Sequence, residues 1–237
     1  MNRHVLPSTN NRRPIITHEN PKSPISEAYR TLRTNIQFSA IDEELRVIMA
    51  TSAGPGEGKS TTLTNLAVAY AQSDMRVVLI DADLRKPTMH HTFSLSNRMG
   101  LTSVLSGQAE LDEVVRESYI PNLNLITSGP IPPNPSEMLA SKRMTKLLDD
   151  LKERFDVILI DAPPILAVTD SQIVATKCDG VILVIDSGKV KRDMAIKAKA
   201  HLEHVKARIL GVVLNNMDRK NAESYYYYYY GAPESKN

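Results

Sequence analysis

Three things are scarce in this 237-residue chain: cysteine, long apolar runs and an excess of one charge. A single cysteine, Cys178, excludes a disulfide scaffold and a multi-cysteine metal site, and it fits a reducing cytosol. The longest apolar runs, such as Val181–Ile185, fall far short of the roughly 20 residues that a membrane-crossing helix needs. The first 20 residues are polar and carry no apolar signal core. Any membrane association is therefore expected to come through a partner. A net charge of +2 gives no strong pull toward nucleic acid. Tryptophan is absent and phenylalanine scarce, yet there are nine tyrosines, and six of them are consecutive, Tyr225 to Tyr230.

Hydrophobic residues make up 42% and charged residues 24%, enough for one large domain with a full core. Residues 1–22 mix Asn, Arg, Pro and Thr without periodicity and read as a flexible arm. Residues 23–217 read as the folded domain and residues 218–237 as a flexible tyrosine-rich tail. Ser23 is placed to cap a helix that opens at Pro24, with an apolar stripe at Ile25, Tyr29, Leu32 and Ile36.

Beyond it, strands and helices alternate. Strands are predicted at Val47–Thr51, Val77–Ile80, Leu123–Thr127, Val157–Ile160, Val181–Ile185 and Ile209–Leu214. Helices are predicted at Lys59–Ser73, around Leu111–Arg116, and at Ser136–Arg154, Ser171–Lys177 and Lys191–Lys206. Short continuous Val/Ile/Leu runs are what strands buried on both faces look like. The alternation implies right-handed βαβ units and an α/β fold: a doubly wound, mostly parallel sheet with helices on both faces. Gly129–Pro135 holds four prolines and reads as a stiff loop.

Ala53-Gly-Pro-Gly-Glu-Gly-Lys-Ser-Thr61 follows a strand and opens a helix. It matches the phosphate-loop pattern G-x-x-x-x-G-K-[ST], except that Ala53 replaces the first glycine. Gly54, Gly56 and Gly58 let backbone N–H groups curl around phosphate oxygens, with Pro55, Glu57 and Thr61 completing the cradle. The helix adds the positive end of its dipole. Lys59 is expected to reach the β- and γ-phosphates of ATP, and Ser60 to bind Mg²⁺. Two runs, Val77–Asp81 and Val157–Asp161, end in aspartate at the sheet edge where such folds bind ligands. All three carboxylates, Asp81, Asp83 and Asp161, are expected to point toward the phosphate loop. Asp161 and Asp81 are assigned to the metal, and Asp83 to accepting a hydroxyl proton from the nucleophile. Arg85 reads equally well as a phosphate contact or as a solvated arginine. Asn215, at the end of the last strand, is assigned to the adenine edge, with Asn216 as a weaker candidate. His90 and His91 are assigned no metal, because neighbours on a helix point about 100° apart.

No strand or helix buries six consecutive rings, since successive side chains point to different faces. The tyrosine run reads either as an adhesive segment or as exposed phenols meant for modification. The last strand ends at the ligand edge, and about ten residues link Asn216 to the middle of the run, a reach of roughly 35 Å. That favours modification by the chain's own kind of site, between subunits.

Taken together, these motifs resemble the bacterial tyrosine kinases of polysaccharide export, over nearly the whole chain from Ser23. Ala53–Ser60 resembles the family's Walker A, Ile80–Arg85 its Walker A′ and Ile158–Asp161 its Walker B. Tyr225, Tyr226, Tyr227, Tyr228, Tyr229 and Tyr230 resemble its autophosphorylated cluster. Glu27, Arg30 and Arg33 fit its self-association pattern E-x-x-R-x-x-R. From spacing alone these three would be a solvated helix face. The resemblance implies an ATP- and Mg²⁺-dependent protein-tyrosine kinase of the split Gram-positive form. It also implies a homo-oligomeric ring, an octamer; a separate transmembrane activator that recruits the cytoplasmic chain to the inner membrane face; tyrosine-bearing protein substrates; and a tyrosine phosphatase. Three rival readings make different demands on the sequence. A MinD- or ParA-like ATPase switch would carry lysine where Gly54 stands. An iron–sulfur carrier would need a second cysteine near Cys178. A nucleotide-binding regulator would dock its tail unmodified.

Overall fold

In a computed structural model of the chain, residues 14–39 and 44–217 are described. The strands are β1 (Val47–Ser52), β2 (Val77–Asp81), β3 (Arg116–Glu117), β4 (Leu123–Ile126), β5 (Val157–Asp161), β6 (Gly180–Asp186) and β7 (Ile209–Asn215). They form one sheet in the order β3-β4-β2-β5-β1-β6-β7, parallel throughout except for the β3–β4 pair. The expected doubly wound, mostly parallel architecture is what the chain adopts.

Ten helices accompany the sheet among the described residues: α1 (Ile16–Glu19), α2 (Pro24–Phe38), α3 (Lys59–Ala71), α4 (Met89–Phe93), α5 (Leu101–Ser106), α6 (Leu111–Val114), α7 (Pro135–Ala140), α8 (Lys142–Lys152), α9 (Asp170–Ala175) and α10 (Arg192–His204). Alternate strand residues feed two cores. Val47 and Met49 of β1 join a cluster with α5, α8 and α10, while Ile48 and Ala50 join one with α2, α3 and α4 on the other face. Helix α3 is buried almost all round because α2 covers its outer side. None of the described helices is long and apolar enough to cross a membrane.

Several boundaries differ from the sequence reading. The segment read as a flexible arm through residue 22 is anchored in its last part: Ile15 and Thr17 are buried, and the Thr17 amide donates to Asn65 Oδ1 at 2.9 Å. Ser23 does cap α2, accepting from the Ser26 amide. The buried positions of α2 are Ser26 and Ile36, however, while Ile25 is exposed. The single helix expected over Ser136–Arg154 is two. Ser141 is extended, and its hydroxyl caps α8 by accepting from the Met144 amide. Arg116 leaves the helical run to pair with Leu125 across the sheet. Helices α1 and α5 were not anticipated.

Candidate functional site

The loops after β1, β2 and β5 leave the same edge of the sheet, beside the point where the strand order reverses at β1. The loop after β1 is self-braced. The Gly54 amide donates to Glu57 Oε1, and the Ser52 hydroxyl donates to the Gly54 carbonyl at 2.8 Å. Gly56 and Gly58 have φ of +78° and +84°, values that a side chain resists. Gly58 is required a second time, because a Cβ there would lie 1.9 Å from Asn215 Nδ2. That amide donates to the Glu57 carbonyl at 3.0 Å, so the end of β7 props the loop from behind. Asn215, assigned to adenine from the sequence, therefore has its N–H directed at the loop.

Glu57 is buried, with Oε2 unpartnered among the described residues. Burial pushes its carboxyl up, against the amides of Gly54, Asp186 and Ala53, with the Asp186 charge a smaller upward push. Asn216 takes a left-handed conformation and donates to Asp186 Oδ2 at 3.0 Å, which directs it to the end of β6.

Lys59 opens α3 and is 7% exposed. Its ammonium pairs with Asp161 Oδ1 and lies 3.2 Å from the Ser60 hydroxyl. Asp81 and Asp161 are register partners across β2 and β5, which sets two buried carboxylates side by side. Burial, and next the Asp161 charge, push the Asp81 carboxyl up to about 7, although Lys59 and the amides it binds favour ionisation. Its Oδ1 accepts from the Asp83 amide at 3.2 Å and its Oδ2 from the Thr88 and Met89 amides at 3.0 Å each. Asp81 thus organises the loop that carries Asp83.

Asp83 sits on the loop that follows β2. One of its carboxylate oxygens accepts from the Lys86 amide at 3.0 Å, within its own loop. Arg85 is about 40% exposed, but it is not a free solvated arginine. It forms a two-point ion pair with Asp170, at 2.9 and 3.0 Å. Asp170 was not foreseen. An aspartate in the first turn of a helix looks like a local cap, and nothing in the spacing announces a partner 85 residues away.

Among the described residues no three His, Cys, Asp or Glu side chains form a metal cage. Asp161 Oδ2 is buried without a hydrogen-bond partner among them. With the Ser60 hydroxyl it makes the donor set that suits Mg²⁺, which keeps several waters and binds through one or two protein oxygens plus phosphates. Asp81 fits less well, since amides already occupy both of its oxygens.

Elsewhere, Glu27 and Arg30 pair at 2.8 Å on α2. Arg33 is turned inward, donating to the Ala69 carbonyl of α3 at 2.8 Å. It sits seven residues after buried Ser26 and three before buried Ile36, on the face that meets α3. The three do not form one exposed row. Tyr225–Tyr230 lie outside the described residues.

A protein-family model described as an AAA domain matches residues 45–197. The tyrosine-protein kinase YwqD of Bacillus subtilis is 48% identical over 213 residues, spanning 90% of each protein. The crystal structure of the chimerical protein CapA2B2 is similar with a TM-score of 0.84 and 43% identity, covering 86% of this chain and 90% of that one. The kinase domain of the Escherichia coli tyrosine kinase ETK is similar with a TM-score of 0.85 and 35% identity, covering 88% and 82%.

Proposed function

Because the chain belongs to the family of bacterial tyrosine-protein kinases, we propose that it transfers the γ-phosphoryl group of ATP to tyrosines, first to Tyr225–Tyr230 of a neighbouring copy. Tyrosines of other proteins are further acceptors, and the activity serves exopolysaccharide production. The observation that carries this reading is the buried Lys59–Asp161 pair beside Asp81, at the positive end of α3.

Phosphoryl transfer is mostly positioning and charge neutralisation. Lys59 and the loop amides grip the β- and γ-phosphates. Ser60 and Asp161 would hold Mg²⁺, which would supply charge neutralisation for the phosphates. Asp83 accepts the proton as the tyrosine oxygen bonds to the γ-phosphorus and the bond to the β-phosphate oxygen breaks, leaving ADP. Asn215 borders the adenine end of the site through its side-chain oxygen. Copies assemble as a ring, an octamer, through the α2 face around Glu27 and Arg30, with Arg33 supporting that face from within. A separate transmembrane activator brings the chain to the inner membrane face, and a tyrosine phosphatase resets it.

The test is a mixture of a Lys59→Ala chain that keeps its tyrosines with an active chain cut before residue 218. Transfer between subunits predicts phosphotyrosine on the Lys59→Ala chain. Its absence, with the uncut chain still phosphorylating itself, refutes that route. ATP hydrolysis without phosphotyrosine in any mixture, activating segment included, favours a MinD- or ParA-like switch.

A further inference from the structure

We infer that the Arg85–Asp170 pair, backed by Ser136, is a brace that holds Asp83 in its transfer geometry, making Arg85 and Asp170 positioning residues for the tyrosine step. This rests on the kinase reading above. Asp170 is fully buried at the start of α9, and both of its oxygens are occupied. Arg85 Nε donates to Oδ2 at 2.9 Å, Nη2 donates to Oδ1 at 3.0 Å, and the Ser136 hydroxyl of α7 donates to Oδ1 at 2.6 Å. A bidentate pair fixes orientation as well as distance. Burial works against the Asp170 charge, but Arg85 and Ser136 outweigh it and hold the carboxyl below its usual range.

The loop from residue 82 to 87 has two kinds of support. From within, Asp81 gathers the amides of Asp83, Thr88 and Met89, and Asp83 takes the amide of Lys86. From outside, Arg85 is the one polar side chain of the loop bonded to other elements among the described residues, and it stands two residues from Asp83. The far end of the brace is joined to the frame of Asp161. Ser171, next to Asp170, donates to the Pro163 carbonyl just beyond β5, and Thr51 of β1 donates to the same carbonyl at 2.8 Å. Arg85 therefore sets the distance between the Asp83 loop and the phosphate-side groups. The phosphate loop needs none of this. Its supports are Ser52, Glu57 and Asn215. Loss of the brace should impair transfer while nucleotide binding survives.

Arg85 is the residue to change, because its side chain is 40% exposed. Removing Asp170 instead would strip a fully buried group, and a failure to fold would be uninformative. Arg85→Ala and Arg85→Lys in the full chain would be compared with wild type for thermal unfolding, Mg·ATP affinity, and kcat and KM for transfer to a tyrosine peptide. Free guanidinium would then be added to the alanine variant. Displacing a catalytic group by about 1 Å can cost on the order of a hundredfold in rate. The expected result for Arg85→Ala is kcat lowered at least about tenfold, Mg·ATP affinity within about twofold, and partial recovery with guanidinium. Arg85→Lys, which keeps the charge but not the fork, should fall between. A folded Arg85→Ala enzyme with kcat within twofold of wild type overturns the proposal. So does a loss of Mg·ATP affinity that matches the loss of kcat, or a lowered kcat that guanidinium leaves unchanged. A wild-type chain that transfers nothing under these conditions refutes the kinase reading instead.

Discussion

Gly58→Ala should destabilise the chain for two separable reasons. A left-handed backbone at a residue with a Cβ costs roughly 1–2 kcal/mol, and Gly58 has φ of +84°. The new Cβ would also lie 1.9 Å from Asn215 Nδ2, so Asn215 must swing away. That movement gives up its bond to the Glu57 carbonyl, a neutral hydrogen bond worth about 1 kcal/mol. The combined expectation is about 2–3 kcal/mol from urea unfolding. Gly56→Ala is the control, since its φ is +78° but nothing lies within 4 Å of the added Cβ. It should show the backbone part alone. Repeating Gly58→Ala in an Asn215→Ala background removes the collision, and the cost should fall to that of Gly56→Ala. Equal costs for Gly58→Ala in both backgrounds would refute the idea that Asn215 props the phosphate loop. So would a Gly58→Ala cost no larger than that of Gly56→Ala.

Asp170→Asn should destabilise the chain near neutral pH. Its folded carboxyl lies below its usual range, so the stabilisation is present above the unfolded value of about 3.9 and is lost as pH falls through the folded one. The gap in Tm between wild type and variant should therefore be widest near pH 7 and close below about pH 4. Ser141→Ala removes the cap that starts α8 and should lower stability by about 1 kcal/mol, whereas Ser141→Asp should be near neutral. Burial, and next the Asp179 charge, raise the half-buried Cys178 thiol above its ordinary value, so at pH 8 a thiol reagent should label it more slowly in the folded chain than after unfolding.

Much of the fold was legible because buried parallel strands are unbroken apolar runs, and β2, β5 and β6 match their predicted extents to within a residue. The phosphate loop was legible for a different reason: its glycines and lysine answer to a backbone geometry that few other sequences satisfy. The parts that escaped depend on contacts distant in sequence. Ser141 splits a run whose apolar periodicity continues across it. Thr17 is held down by Asn65, 48 residues beyond it, and Ile15 by the apolar cluster around α3. Arg33 belongs to a pattern that suggested an exposed row, yet α3 supplies a carbonyl that turns it inward. Arg85 and Asp170 were each readable as local features, and only the approach of the β2 loop to α9 makes them a pair.

The central claim is that one site, built on Lys59 and Asp161, moves phosphate from ATP to tyrosine. Intact-mass and phosphosite analysis of the full chain after incubation with Mg·ATP, beside Lys59→Met, tests it directly. The account predicts phosphotyrosine within Tyr225–Tyr230 of the wild-type chain and none in Lys59→Met, with both proteins folded. Release of inorganic phosphate by wild type with every tyrosine unmodified, even with an activating segment supplied, would contradict it.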